Sequence, residues 1–307
     1  MRRFSAVTAG RTSHEGVAEL WPGRGTGEIR EDRKGVVGMV RRWLWVVVLV
    51  VCGLLFGAVW WVLRETGNPN LVPALILLGS AVIPLTFVTF VAGQRVGFGV
   101  GAGTVGTVVL VGGVVGVVLA GLVEYDTVRG LGALPMVGVG LIEEAAKLTA
   151  PVAVLLVLVV LRRRRAPADG LLLGVAAGAG FAVLETMGYA LVVLVESSGS
   201  LDALDDVLLM RGAMSPAAHM AWTGITAAAL WAAAGRGWKG WSWLWFVGGF
   251  AVAVALHATW DSANSTWVYV VLGAVSLGIL LTATILFHPR TGRARRPVQP
   301  TFAVGPA

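Results

Sequence analysis

The protein has 307 residues, of which 56% are hydrophobic and only 13% are charged, and its formal net charge is +7. A mean hydropathy of +0.79 predicts an integral membrane protein and excludes a soluble globular enzyme. The basic residues collect beside apolar stretches rather than in one patch. The predicted partner of this charge is therefore the lipid bilayer and not a nucleic acid.

Eight apolar stretches approach the roughly 20 residues that a membrane-spanning helix needs. They fall at 43–63, 71–92, 97–123, 134–161, 168–195, 214–234, 241–263 and 266–287. This pattern predicts an all-α, polytopic transmembrane helix bundle of about eight spans in one domain, residues 41–288. The polar ends, residues 1–40 and 289–307, are predicted to be disordered tails.

The placement of arginine and lysine predicts the orientation of the bundle. Basic residues precede the first span and follow the second, fourth, sixth and eighth, as in the run Arg162 to Arg165. The alternate loops are mainly acidic, with only Arg64, Arg129 and Arg211 among their basic side chains. By the positive-inside rule, both termini are expected to be cytoplasmic in a multi-pass protein of the plasma membrane.

The third span contains no ionisable residue before Glu124, which we place in the following outer loop. It is rich in glycine instead, with small residues four apart at Gly99 and Gly103 and again at Gly112 and Gly116. Such spacing is typical of closely packed transmembrane helices.

Seven ionisable residues lie inside the predicted spans. A charged side chain at the bilayer centre costs about 2.5 to 3.5 kcal/mol even on lenient scales, so each one kept there is a candidate functional group. The candidates are Glu143, Glu144, Lys147, Glu185, His219, His257 and Asp261.

The depth of these residues can be counted from the cytoplasmic charge that ends each helix. Glu144, Glu185, His219 and His257 lie 16 to 18 residues from that charge, which is about 24 to 27 Å along a helix axis. Four helices thus place an ionisable group in one layer toward the outer side. This coincidence predicts a shared polar site rather than four separate structural residues.

Residues four apart share a face of a helix, which pairs Glu143 with Lys147 and His257 with Asp261. Asp261 is expected to orient His257 by accepting a ring N–H. Taken alone, Glu143 and Lys147 could be a structural ion pair, and His219 could be a helix-to-helix hydrogen bonder.

Four short motifs on separate spans resemble the PrsW family, in the order of that family. They are "EEAAK" at Glu143 to Lys147, "FAVLE" at Phe181 to Glu185, "AAHMAW" around His219 and "HATWD" at His257 to Asp261. The family is similar to the clan of CAAX prenyl endopeptidases and Abi membrane proteins, and the resemblance extends from about residue 40 to 288. In the CAAX branch a histidine stands where this chain has Glu185, which favours the PrsW branch.

The resemblance implies an intramembrane protease. Glu143 or Glu144 would act as the base that activates water, with the imidazoles orienting water or donating to the oxyanion. Two mechanisms stay open. In one, Glu185, His219 and His257 bind Zn²⁺ as a His₂Glu set; in the other, glutamate and histidine activate water without a metal.

The implied substrate is a single-span membrane protein, of which a membrane-spanning anti-sigma factor cut at its first site is the best-known kind. Two other classes of function are open to the same residues: an ion- or proton-coupled transporter and a non-catalytic membrane scaffold. The outer loop 196–212 carries Leu201, Leu204 and Leu208 on one helical face. We expect an amphipathic helix there, either an interfacial gate or an ordinary connector.

Overall fold

The computed structural model describes residues 26–94, 98–132 and 134–287, and side chains from residue 42 to residue 286 within these ranges. The described residues form helices and no strands. The helices are α1 (Thr26–Thr66), α2 (Val72–Gly93), α3 (Ala102–Thr107), α4 (Gly113–Leu131), α5 (Met136–Lys147), α6 (Thr149–Val160), α7 (Pro167–Glu196), α8 (Leu201–Met214), α9 (His219–Gly235), α10 (Ser242–Asp261) and α11 (Thr266–Phe287).

Contacts divide the chain into two units, Met1–Arg41 and Arg42–Ala307. In the first unit, residues 26–41 are helical, so part of the predicted disordered tail is helix. Glutamate, arginine and lysine in this stretch all have favourable helix propensities, which outweigh its polarity. Residues 1–25 and 289–307 of the predicted tails lie outside the described residues. The second unit contains the rest of α1 and helices α2 to α11.

Six of the described helical segments are long and apolar enough to cross a membrane. They are Arg42–Thr66, Pro69–Gly93, Ala102–Leu131, Pro167–Glu196, Ser242–Asp261 and Thr266–Leu286. The protein is therefore a multi-pass membrane protein built from α-helices. The other two predicted spans, 134–161 and 214–234, are also helical. The first is broken into two helices, and the helix of the second begins only at His219.

The fourth predicted span, 134–161, consists of two helices of 12 residues each, α5 and α6, which meet at Leu148. Pro151 lies in the first turn of α6. A proline has no N–H to offer the carbonyl four residues earlier, which here belongs to Lys147, and its ring crowds that carbonyl. The break therefore falls directly after Lys147.

The sixth predicted span, 214–234, begins later than predicted. Ser215–Ala217 form a 3₁₀ turn with Pro216 at its start, Ala218 has a non-helical backbone, and α9 opens at His219 with 17 residues. Pro216 has no N–H to donate to the carbonyl of Gly212, so helix α8 does not continue through it. After the non-helical Ala218, His219 is the first residue of a helix that is almost entirely buried.

The buried centre of the bundle is α7, which packs along α9 and also contacts α2, α4 and α8. Gly170, Gly174 and Gly178 form a stripe on α7, and a Cβ at each would meet backbone atoms of α9. The third span packs closely on α7 as well, since a Cβ at Gly180 of α7 would meet the carbonyl oxygen of Val109. There, Gly112 and Gly116 do pack closely, while a Cβ at Gly103 would meet nothing.

One further boundary differs from the prediction, and one predicted helix is present. Helix α4 continues to Leu131, so Glu124 lies within a helix rather than in a loop. In loop 196–212 the expected amphipathic helix is present as α8, and Leu204 and Leu208 are buried in a cluster with Leu63 of α1 and Leu75 of α2. The apolar face of α8 therefore covers the protein itself.

Candidate active site

The seven ionisable candidates, four of which were predicted to share a layer, come from four helices. They lie on α5 (Glu143, Glu144 and Lys147), α7 (Glu185), α9 (His219) and α10 (His257 and Asp261). The structure brings all seven into one connected set of polar contacts. The break after Lys147 and the late start of α9 place Lys147 and His219 at adjoining helix ends.

Lys147 is the centre of this set. Its Nζ lies 3.1 Å from Oε2 of Glu143, 2.8 Å from Oε1 of Glu144 and 2.8 Å from Nδ1 of His219. The ring of Phe181 lies 4.2 Å from the same nitrogen. An ammonium group has three donors, so these three contacts use all of them. Lys147 is fully buried and ties two glutamates of α5 to a histidine of α9.

His219 connects Lys147 to a second carboxylate. With Nδ1 accepting from Lys147, Nε2 carries the proton and lies 2.8 Å from Oε2 of Glu185. The same oxygen lies 2.7 Å from Nη2 of Arg211 on α8, and the Arg211 guanidinium stands 3.9 Å from the Tyr189 ring centroid. The sequence predicted that Arg211 is a charged residue of a loop, but the structure places it in contact with Glu185 of the site. No sequence spacing relates it to Glu185, because the contact joins a connector helix to a span.

His257 lies between three carboxylates. Its Nδ1 is 3.0 Å from Oε1 of Glu144, and its Nε2 is 3.3 Å from Oδ2 of Asp261 and 3.4 Å from Oε2 of Glu143. The expected pairing with Asp261 is present, but Glu144 makes the shorter contact. His257 is 1% exposed, and its Nε2 forms no aligned hydrogen bond within the described residues.

The two adjacent glutamates differ in how fully they are engaged. Glu144 is 1% exposed and contacts Lys147, His257 and the hydroxyl of Thr223, which lies 3.4 Å from Oε2. Glu143 is 8% exposed, and its described contacts involve Oε2. Glu144 is therefore placed to hold its neighbours, while Glu143 can offer an oxygen to a further group.

The cluster carries more negative than permanent positive charge. Its four carboxylates, Glu143, Glu144, Glu185 and Asp261, face two permanent cations, Lys147 and Arg211. Glu124 adds an electrostatic interaction with Glu143, and its Oε1 is buried without a partner among the described residues. Protonated imidazole or a divalent cation would reduce this excess.

Glu143, His219 and His257 each offer one ligand atom within 4.8 Å of the others. This group differs from the predicted ligand set in having Glu143 in place of Glu185. The residue types are those that bind zinc, and the buried Nε2 of His257, which forms no aligned hydrogen bond with the described residues, fits a metal ligand. His219 fits only if it exchanges one of its two present contacts, to Lys147 or to Glu185.

A small space adjoins His219 on the side of α8. It measures about 20 Å³ and is lined by residues that include Thr186, Arg211 and Trp260, which is room for about one water molecule. A larger groove of about 220 Å³ shares Arg211 and Trp260 and continues past Tyr189 and Tyr269. The small space thus admits a water to His219, and the groove reaches Arg211 and Trp260 beside it.

Apolar spanning helices around a buried set of carboxylates, imidazoles and an ammonium group define a multi-pass membrane protein with a polar site inside the bundle. Residues 94–287 match the family described as "PrsW family intramembrane metalloprotease", and the chain belongs to this family. The match includes all seven site residues and Arg211, but not α1 and α2, so it is shorter than the resemblance expected from about residue 40. No match was found among curated proteins or among solved structures.

Proposed function

We propose that the protein hydrolyses a peptide bond of a membrane-spanning protein, with Glu143 activating the attacking water. The family to which the chain belongs consists of intramembrane proteases. Within that family, the observation that carries this proposal is the position of Glu143. It is the less engaged of two buried glutamates and lies against both Lys147 and His257. Peptide hydrolysis needs a base beside water and a donor beside the developing oxyanion, and these neighbours can supply both.

In the direct mechanism, the water oxygen attacks the scissile carbonyl carbon while Glu143 takes the water proton. His257, carrying a proton on each ring nitrogen, donates from Nε2 to the oxyanion and then supplies that proton to the amine nitrogen as the C–N bond breaks. The proton taken by Glu143 then returns to His257, which restores both groups. Glu144 holds Nδ1 of His257 through the 3.0 Å contact. Lys147 limits the repulsion between the two glutamates of α5.

In the alternative mechanism, Glu143, His219 and His257 would hold a zinc ion, or Glu185 would take the place of Glu143, as the sequence predicted. Bound zinc would polarise the scissile carbonyl and make bound water a stronger nucleophile. The two mechanisms compete for the same atom, because Nε2 of His257 must be free of its proton to bind metal.

Metal analysis of purified protein separates these mechanisms. Ligation predicts about one Zn²⁺ per chain, lost in His257→Ala and weakened about 10- to 100-fold in Asp261→Asn, which changes only the partner of a ligand. Loss of zinc in Glu143→Gln but not in Glu185→Gln would select the set seen in the structure. Zinc-free protein with full activity would select the direct mechanism.

The substrate we propose is a single-span membrane protein, for which an anti-sigma factor is the model by family resemblance. The basic loops support cytoplasmic termini and a plasma-membrane location. The site then lies toward the outer side, where the helix of a substrate can fray at the interface and expose its backbone.

A cleavage assay in detergent tests the proposed function. Glu143→Gln and, separately, His219→Ala should reduce cleavage of a panel of single-span proteins by at least about a hundredfold. Glu143 is the proposed base, and His219 holds Lys147, which contacts Glu143. Glu196→Gln is the matched control, since Glu196 is an exposed carboxylate at the end of α7. Cleavage at the wild-type rate by both site variants would contradict the proposal.

A further inference from the structure

A second cavity lies at the opposite end of α9 from His219. It measures about 750 Å³, and α9, α10 and α11 supply most of its lining. Trp231, which lines it, comes twelve residues after His219 on the same helix, so the two are about 18 Å apart along the axis. The cavity is within the usual range for small-molecule sites, about 300 to 1,000 Å³, and shares no lining residue with the candidate active site.

The lining combines an apolar body with a basic end. Ile225, Val252 and Ile279 line the apolar part, and Arg165 and Arg236 line the end near the helix termini. Neither arginine forms an ion pair with any described residue, in contrast to Arg64 and Arg211. Two unpaired cations at the opening of an apolar cavity are complementary to an anion that has a hydrocarbon chain.

A buried donor in the same lining also has no partner. Trp231 is fully buried, and its Nε1 forms no hydrogen bond within the described part of the chain. A buried indole N–H normally finds an acceptor, and leaving it unpaired costs free energy. The oxygen of a bound ligand would satisfy this donor.

Exposed tryptophans mark the depth of the basic end. Trp238 and Trp241 in the α9–α10 loop are 48% and 79% exposed, and Trp245 at the start of α10 is 70% exposed and lines the cavity. Tryptophan is enriched at the level of lipid headgroups. The arginines therefore lie at headgroup depth, and the apolar part of the cavity extends toward the acyl chains.

We propose that this cavity is a binding site for an anionic phospholipid, with the phosphate between Arg165 and Arg236 and an acyl chain along the apolar lining. Basic pockets between transmembrane helices suit anionic headgroups, and an ester or phosphate oxygen can accept from Nε1 of Trp231. The proposal does not depend on proteolysis, because the site is identified by its own charges, shape and unpaired donor.

Native mass spectrometry of the full chain in detergent, with equimolar phosphatidylglycerol and phosphatidylcholine, tests the site. The wild type should retain phosphatidylglycerol over phosphatidylcholine by about thirtyfold, the factor expected from two interfacial arginines. The double variant Arg165→Gln with Arg236→Gln should lose this preference. Trp231→Phe, which removes the N–H donor together with part of the indole ring, should lower it by a smaller factor.

The control double variant is Arg162→Gln with Lys239→Gln, which removes two charges from the same two loops but outside the cavity lining. It should keep the preference. A third variant, Gly248→Phe, places a ring in the cavity without a backbone clash, since a Cβ at Gly248 meets nothing within 4 Å. It should reduce retention of both lipids.

Three results would overturn the proposal. The first is equal retention of the two lipids, or of neither, by the wild type. The second is a loss of preference in the control variant as large as that in the arginine pair. The third is wild-type retention of phosphatidylglycerol by correctly folded Gly248→Phe, with folding checked by the thermal unfolding midpoint.

Discussion

At the scale of single residues, Lys147 shows why a charge inside an apolar span indicates a cluster of polar side chains. An ammonium group inside a span is retained only if its donors are satisfied, and the structure gives it two glutamates and a histidine. The free-energy cost of burying such groups is the reason why these seven residues could be identified from the sequence. Arg211 and Thr223 were not visible, because an arginine in a loop and a threonine in a span are both ordinary there.

Arg211 is predicted to position Glu185 and, through it, His219. Arg211→Gln removes the 2.7 Å contact to Glu185 and should lower kcat about 10- to 100-fold with little change in KM, as changes beside a reacting group typically do. Arg211→Lys should restore part of the loss. Cleavage kinetics provide the measurement.

Arg129→Gln serves as the control for this prediction, since Arg129 is exposed in the last turn of α4. A normal kcat in Arg211→Gln would show that Glu185 does not need Arg211. A change confined to KM would instead assign Arg211 to substrate binding in the adjoining groove.

At the scale of helices, composition predicted that each apolar stretch is helical, and the structure agrees for all eight. It could not predict how the fourth and sixth stretches begin and end, since hydropathy averages over the window that contains a break. The local signals were Pro151 and Pro216, each of which removes one backbone N–H donor from a helix. These two breaks set Lys147 against His219, so the least predictable part of the fold is the part that builds the site.

The glycine stripe of α7 is equally specific. A Cβ at Gly178 would lie 2.5 Å from the carbonyl oxygen of His219, so α9 must move to admit it. Gly178→Ala should lower stability by about 1 to 3 kcal/mol, as overpacking does, and should reduce cleavage because it displaces His219. Thermal unfolding in detergent and the cleavage assay measure the two effects.

Gly188→Ala is the matched control on the same helix, because a Cβ at Gly188 meets nothing within 4 Å. Replacing glycine by alanine within a helix should there raise stability by up to about 1 kcal/mol. If Gly178→Ala were as stable and active as Gly188→Ala, the close contact between α7 and α9 would not be what positions His219.

At the scale of the whole molecule, the site and the cavity lined by Arg165 and Arg236 lie at opposite ends of α9. His219 opens α9, and Arg236 follows its last residue. With the basic loops on the cytoplasmic side, the scissile bond is expected at the outer end of the span of a substrate. The same orientation places the proposed lipid site in the cytoplasmic leaflet, where anionic lipids attract basic residues.

Mass spectrometry of the products formed in H₂¹⁸O tests the central claim most directly, using purified protein and a single-span substrate of known orientation. We predict one cut at the outer end of the substrate span, with one ¹⁸O in the new carboxyl terminus of the N-terminal product and no product from Glu143→Gln. The label follows because water supplies one oxygen to the new carboxylate when the peptide bond is hydrolysed. The same labelled products from Glu143→Gln, or a cut at the cytoplasmic end, would contradict the account.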